Sequence, residues 1–211
     1  MAQSEGILSK DEEERIENYF SSLKYRFLIE RESDQRIEEL SALLDQFEVL
    51  KGYDVITIAD AVKVSDGTSE CIFCILLCEV TSSILHYGAI NQHNTREIYA
   101  SAFASLSKDF GHTLIRPEQI RDKAAEIFQQ RELDFPEHPY FSRFYYVLAT
   151  DESKVRQNMC LPLLDAIYGY TDLVIEILGH TLVAGKPKQF HEQDATELLE
   201  FTLLFSKLEK Q

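Results

Sequence analysis

Apolar residues recur at helical spacing near both ends of the chain and alternate with polar ones in its middle. Over residues 11–30, Ile16, Tyr19, Phe20, Leu23, Phe27 and Leu28 share one face, with Glu, Lys and Arg between them, which predicts a helix. A second helix is predicted over 34–50 from Ile37, Leu40, Leu43, Leu44 and Phe47. Glu30 and Asp34 interrupt the apolar seam, so the two helices do not read as a continuous coiled coil. After Gly52, residues 54–64 are rich in β-branched side chains (Val55, Ile56, Thr57, Ile58, Val62, Val64) and predict a strand. Ser65-Asp66-Gly67-Thr68 is a turn signal, and residues 71–80 form a second strand, apolar on both faces and therefore central in its sheet.

Residues 81–95 carry no single pattern. Over 96–106 two readings compete. Asn94 followed by Glu97 resembles a capping box opening a helix that Gly111 would close. Against it, Ile98, Ala100, Ala102, Ala104 and Leu106 alternate with Tyr99, Ser101, Phe103 and Ser105, as in a strand. Pro117 suits the first turn of a helix carrying Ile120, Ala124, Ile127 and Phe128 on one face and ending before Leu133.

From residue 134 to 205 pattern, turn chemistry and capping signals agree. Pro136 and Pro139 stiffen the entry, and residues 144–148 predict a strand. Asp151 or Ser153 can cap the next helix, with Val155, Met159, Leu163, Leu164 and Ile167 as its apolar positions; Pro162 should kink or divide it and Gly169 stop it. Residues 173–178 and 181–184 read as two strands around Gly179-His180, a type II′ hairpin. A last helix carries Ala195, Leu198, Leu199, Phe201, Thr202, Leu203, Phe205 and Leu208, with Asp194, Glu197 and Glu200 near its start. These elements predict an α+β fold: N-terminal helices, then an antiparallel sheet packed by helices on one face, ending strand-helix-hairpin-helix. The expected division is a helical region over 1–51 and an α+β domain over 52–211, the two forming either separate units or one domain.

Composition narrows the function classes. With 45% hydrophobic residues the 211-residue chain can bury a real core, and its net charge of −15 repels phosphate backbones and anionic lipid surfaces. Basic residues do not cluster into a stripe, so no nucleic-acid partner is expected. The acidic run Asp11-Glu12-Glu13-Glu14 replaces the basic start of a signal peptide, and the longest apolar run, 71–78, falls short of the roughly 20 residues a membrane span needs. A cytoplasmic protein without membrane association is expected.

Candidate chemistry is sparse. Cys71, Cys74 and Cys78 would share a face of a helix and could grip a metal, but in a strand Cys71 faces away from the other two, and their neighbours are Ile72, Phe73, Ile75, Leu76 and Leu77. They read as buried core thiols, and no metal or other cofactor is expected. None of the histidines at 86, 93, 112, 138, 180 and 191 falls in a two-histidine metal motif. His138, between two prolines and near Ser142, invites a nucleophile reading, yet no nucleophile elbow is present and it reads as a structural loop residue. His180 is read as an exposed turn residue. Glu176, inside an apolar strand, is read as lying on the exposed face of a half-covered sheet. No phosphate-binding glycine pattern occurs.

Arg116-Pro117-Glu118, then Asp134-Phe135-Pro136, His138-Pro139, Phe141-Ser142 and Tyr145, resemble a family of uncharacterised bacterial proteins. Later pieces of the pattern stand here as Asp151-Glu152, Val155-Arg156, Ile175-Glu176, Gly179 and Leu182, so the resemblance spans about residues 112–205. It implies a strand before Arg116, which favours the strand reading of 96–106, and it implies no activity. Many such proteins begin with apolar membrane segments, whereas this chain begins with acidic amphipathic stretches. The resulting expectation is a non-enzymatic acidic accessory module that binds a protein partner, with His138, Phe141, Ser142 and Tyr145 as binding residues and self-association or partner docking through 11–50. The alternatives are an enzyme with a site near His138 and Ser142, or a small-ligand carrier.

Overall fold

The computed structural model describes residues 8–50, 55–86, 89–118 and 132–211, with side chains for all of these except 55 and 80–94. Helices and one antiparallel sheet form the α+β architecture expected. In chain order the elements are α1 (Lys10–Leu23), β1 (Leu28–Arg31), α2 (Asp34–Leu44), a 3₁₀ turn (Glu48–Leu50), β2 (Val55–Ser65), β3 (Glu70–His86), β4 (Ala89–Ser105), β5 (His112–Pro117), α3 (Pro139–Phe144), β6 (Tyr145–Ala149), α4 (Glu152–Asn158), α5 (Leu161–Gly169), β7 (Val174–Leu178), β8 (Thr181–Gly185) and α6 (Glu192–Leu208). The sheet runs β1-β2-β3-β4-β8-β7-β5-β6.

The predicted β2–β3 hairpin forms with Ser65 opposite Glu70. Asp66 shapes its turn by accepting hydrogen bonds from the Thr68 and Ser69 amides, both at 2.8 Å, while Gly67 takes φ +87°. Residues 96–106 lie almost wholly in β4, as the alternation favours: Ala102 and Ala104 face one core and Phe103 the other. Of the patternless 81–95 stretch, residues 81–86 and 89–95 belong to the same long β3–β4 pairing, which reaches His86 opposite Ala89. Among the described residues, β3 pairs beyond Glu79 with β4. Gly179 takes φ +60°, and among the described residues Asp172 alone of the non-glycines has positive φ, so the β7–β8 turn follows the type II′ pattern.

Several expectations are corrected. The first helix stops at Leu23, and Leu28–Arg31 instead pair with β2, Leu28 opposite Ser65 and Arg31 opposite Val62. The edge of β2 offers these residues ladder hydrogen bonds that outweigh their helical propensity. The second helix ends at Leu44 and is followed by the separate 3₁₀ turn. Pro117 closes β5, opposite Tyr145, where a missing N–H is tolerated. The helix positions expected at 120–128 lie outside the described residues. Pro162 divides its helix as expected, falling in the first turn of α5.

Helices cover both faces, not one. On the larger face α1, α4, α5 and α6 pack Phe20, Val155, Leu164 and Phe201 over Phe73, Ile115, Val147 and Ile177. On the other, Leu40 and Leu44 of α2 with Phe47 and Leu50 cover Ile58, Cys74, Leu76, Phe103 and Val183. The reason lies in β3: a central strand apolar on both faces leaves one face wet unless a second layer covers it.

Candidate functional site

His138 begins the region that the sequence singles out. Its backbone precedes α3 and its ring caps that helix: Nδ1 accepts from the Phe141 amide at 2.9 Å. An acceptor at Nδ1 places the proton on Nε2, which donates to Asp165 Oδ1 at 3.0 Å. The residue is buried, whereas the Asp165 side chain is 64% exposed. Ser142 lies within α3; its hydroxyl accepts from the Phe135 amide at 2.8 Å and lies 3.4 Å from the Phe135 carbonyl, clipping the proline-stiffened entry to the helix. Imidazole and hydroxyl are thus bonded elsewhere, and the pair does not form a base–nucleophile couple.

Phe141 is fully buried, stacked on Tyr145 at 5.4 Å and edge-on to Phe135 at 5.5 Å. The Tyr145 hydroxyl donates to the Tyr170 carbonyl at 2.6 Å, and burial pushes its pKa up to about 12. The four residues proposed from sequence therefore meet in one place, with His138, Phe141 and Tyr145 buried and Ser142 half-buried. Above them lie residues that the sequence reading passed over. Tyr140 and Phe144, one turn apart on α3, are 65% and 50% exposed; Leu161 and Tyr168 on α5 are 47% and 40% exposed. The Phe144 and Tyr168 rings meet at 6.0 Å, and Tyr168 lies 5.3 Å from the His138 ring. The available signal was spacing: 140 and 144, and 161 and 168, each fall outside the apolar positions that face the core. Beside these residues, around α3, an open depression of about 330 Å³ is lined by Asp134, Phe135, Pro136, Pro139, Ser142 and Arg143.

The other candidates are placed as follows. Cys71 faces the larger core, Cys74 and Cys78 the smaller one. Burial pushes the Cys71 and Cys78 thiols up to about 12 and raises Cys74 as well, so all three stay protonated near neutral pH. Among the described residues no group of three or more His, Cys, Asp or Glu side chains is arranged to hold a metal. His180 is exposed, with Nδ1 3.2 Å from the Leu106 carbonyl.

Glu176 overturns its expectation. It is fully buried, not on an open face. Oε2 accepts from the Val49 amide at 2.9 Å, and Oε1 meets His112 Nε2 at 2.5 Å. The 3₁₀ turn lies over this part of the sheet, where an exposed row was expected. Lys186 is likewise buried, its ammonium 2.8 Å from Asp194 and 2.5 Å from Glu197 in α6.

The fold and this surface define an α+β protein built on one antiparallel sheet with helices on both faces. No family model matches the chain, and no curated protein matches it in sequence. Among solved structures it is similar to the mycobacterial trehalose monomycolate transport factor A, TtfA, with 11% identity, a TM-score of 0.55 and 95% of each chain covered. At that identity the likeness is one of fold. Among the described residues no helix is long and apolar enough to cross a membrane.

Proposed function

We propose that the chain is a non-enzymatic interaction module and that a protein partner docks on the aromatic face of α3 and α5. The observation that carries this is the exposure of Tyr140, Phe144, Leu161 and Tyr168 together, on two helices fixed from below by the His138–Asp165 bond and the Phe135–Phe141–Tyr145 stack. Large exposed aromatics on a rigid base are the usual anchors of an interface. The enzyme alternative has less support, because the hydroxyl and imidazole it would use are engaged in holding α3. TtfA is called a transport factor; an accessory role of that kind rests here on the surface, not on the likeness.

A second reading, docking through residues 11–50, keeps one observation in its favour: Tyr25, just before the edge strand β1, and Leu28, its first residue, are 92% and 71% exposed. The apolar residues of α1 and α2 themselves face the sheet.

The test compares wild type with a Phe144→Ser/Tyr168→Ser variant in affinity capture from the native cell, followed by titration of the purified partner. Removing two aromatic anchors should weaken binding at least about 30-fold. Equal binding by the variant would remove this face from the interaction; loss on Tyr25→Ser/Leu28→Ser instead would move docking to β1.

A further inference from the structure

The aromatic face contains one charge at its centre. On α5, Leu161, Asp165 and Tyr168 stand at i, i+4 and i+7, one exposed row; on α3, Tyr140 and Phe144 make a second row, joined to the first through the Phe144–Tyr168 contact. Asp165 uses Oδ1 for His138 and leaves most of its carboxylate in solvent. The flanking entry loop adds exposed Glu137, while Asp134 lines the depression beside α3. Exposed Arg143 stands at i+3 from Tyr140, about 60° around α3, and lines the depression with Asp134, Pro139 and Ser142, whereas Asp165 stands on α5.

Resting on the proposed docking face, we infer that its partner presents an arginine flanked by apolar residues, the guanidinium bonding Asp165 and lying against Tyr168 and Phe144. A planar cation with a fork of donors can satisfy a carboxylate and stack on rings at once, which an ammonium does less well. The net charge of −15 disfavours an acidic partner and equally a second copy of this chain. His138 supports the arrangement from beneath: its Nε2–H holds the carboxylate in place, so the acid is positioned before the partner arrives.

The experiment titrates the ¹⁵N-labelled full chain at 0.15 M salt with three capped 12-residue peptides of alternating leucine with arginine, lysine or glutamate. The arginine peptide should shift amides at 140–144 and 161–168 and bind several-fold tighter than the lysine peptide, with the glutamate peptide weakest. Asp165→Asn keeps an acceptor for His138 while removing the charge, and should weaken the arginine peptide about tenfold, the size of one charge-assisted bond. If Phe144→Ser/Tyr168→Ser abolishes binding but Asp165→Asn does not change it, the face stands and the arginine inference is overturned. Equal affinity for arginine and lysine peptides, shifts elsewhere on the chain, or no binding overturns it as well, as does dimerisation of the free protein that Tyr140→Ala abolishes.

Discussion

Truncating Glu176 probes the least expected feature of the fold. In Glu176→Ala, two donors lose their acceptor, the Val49 amide and His112 Nε2, at a position fully shielded from water. Hydrogen bonds to a charged group contribute about 1.5–3 kcal/mol each. Removing the carboxylate also relieves the cost of burying it, so the two bonds do not simply add; each buried donor left without an acceptor costs about 1–3 kcal/mol. Glu176→Leu refills the volume between Leu114 and Val183, its cross-strand neighbours, and leaves the same orphaned amide. That amide costs about 1–3 kcal/mol, partly offset by the added apolar contact. Both variants orphan the same donors, so the leucine variant should be more stable than the alanine variant by roughly 2 kcal/mol, from the additional buried carbons at about 0.8 kcal/mol each.

Urea unfolding followed by far-ultraviolet dichroism and tyrosine fluorescence measures this, the ten tyrosines serving where there is no tryptophan. Hydrogen exchange locates it. Because the acceptor of Val49 N–H is a side chain of β7, exchange at residues 47–50 should rise most in Glu176→Ala, ahead of α6. A destabilisation below about 1 kcal/mol would refute the role given to the carboxylate, as would a leucine variant no better than alanine.

Other outcomes follow from single features. Under native conditions a thiol reagent should modify Cys160, the exposed cysteine, and reach Cys71, Cys74 and Cys78 only on unfolding, counted by mass spectrometry with and without denaturant. Phe141→Ala should cost about 3–5 kcal/mol in urea titration, since it empties the centre of the Phe135–Tyr145 stack. At Lys186, burial works against the charged form, but Asp194 and Glu197 outweigh it and leave the pKa above that of an ordinary lysine; the Lys186 bonds hold both carboxylates below their usual range. A depressed carboxylate contributes stability that is present above its unfolded pKa and lost as pH falls through the folded one. Stability should thus decline below about pH 4.5, and Lys186→Met should flatten that decline when unfolding is followed from pH 6 to 2.

Local signals carried far. Asp66-Gly67 and Gly179 each determine a hairpin within a few residues, Asp151 caps α4 by accepting from the Lys154 amide, and Pro162 parts α4 from α5. What escaped depends on distant partners. Leu28–Arg31 has the polarity of a helix end and becomes a strand only because β2 offers an edge. His112–Pro117 is short and carries His and Arg, so its place between β6 and β7 is not written in its own pattern. Glu176 shows the same limit: alternation gives its face correctly, but only the chain ordering of α2 and the 3₁₀ turn decides whether that face is wet. At the candidate site, the proline-flanked loop and the bacterial pattern pointed to His138, Phe141, Ser142 and Tyr145 as binding residues, and the structure places them in the support of α3. Sequence did not single out Tyr140, Phe144 and Tyr168, because an exposed ring and a buried one look alike until the helix is docked.

The residues behind the bacterial resemblance bear on the same point. Arg116 is buried with its guanidinium over the Tyr146 ring, the Asp134 carbonyl accepts from Arg156, Phe135 is core and His138 caps α3. Ser142 clips the entry, Tyr145 ties to Tyr170, Asp151 caps α4, Glu152 pairs with Arg156, and Val155 and Leu182 are buried. Glu176 anchors the 3₁₀ turn and Gly179 makes the β7–β8 turn. Each has a packing, capping or turn duty, and together they build the platform that holds α3 and α5. A pattern composed this way specifies a scaffold. The rows that face outward from it, Tyr140 and Phe144, Leu161, Asp165 and Tyr168, carry none of these duties for the core, and the proposed docking face lies on them.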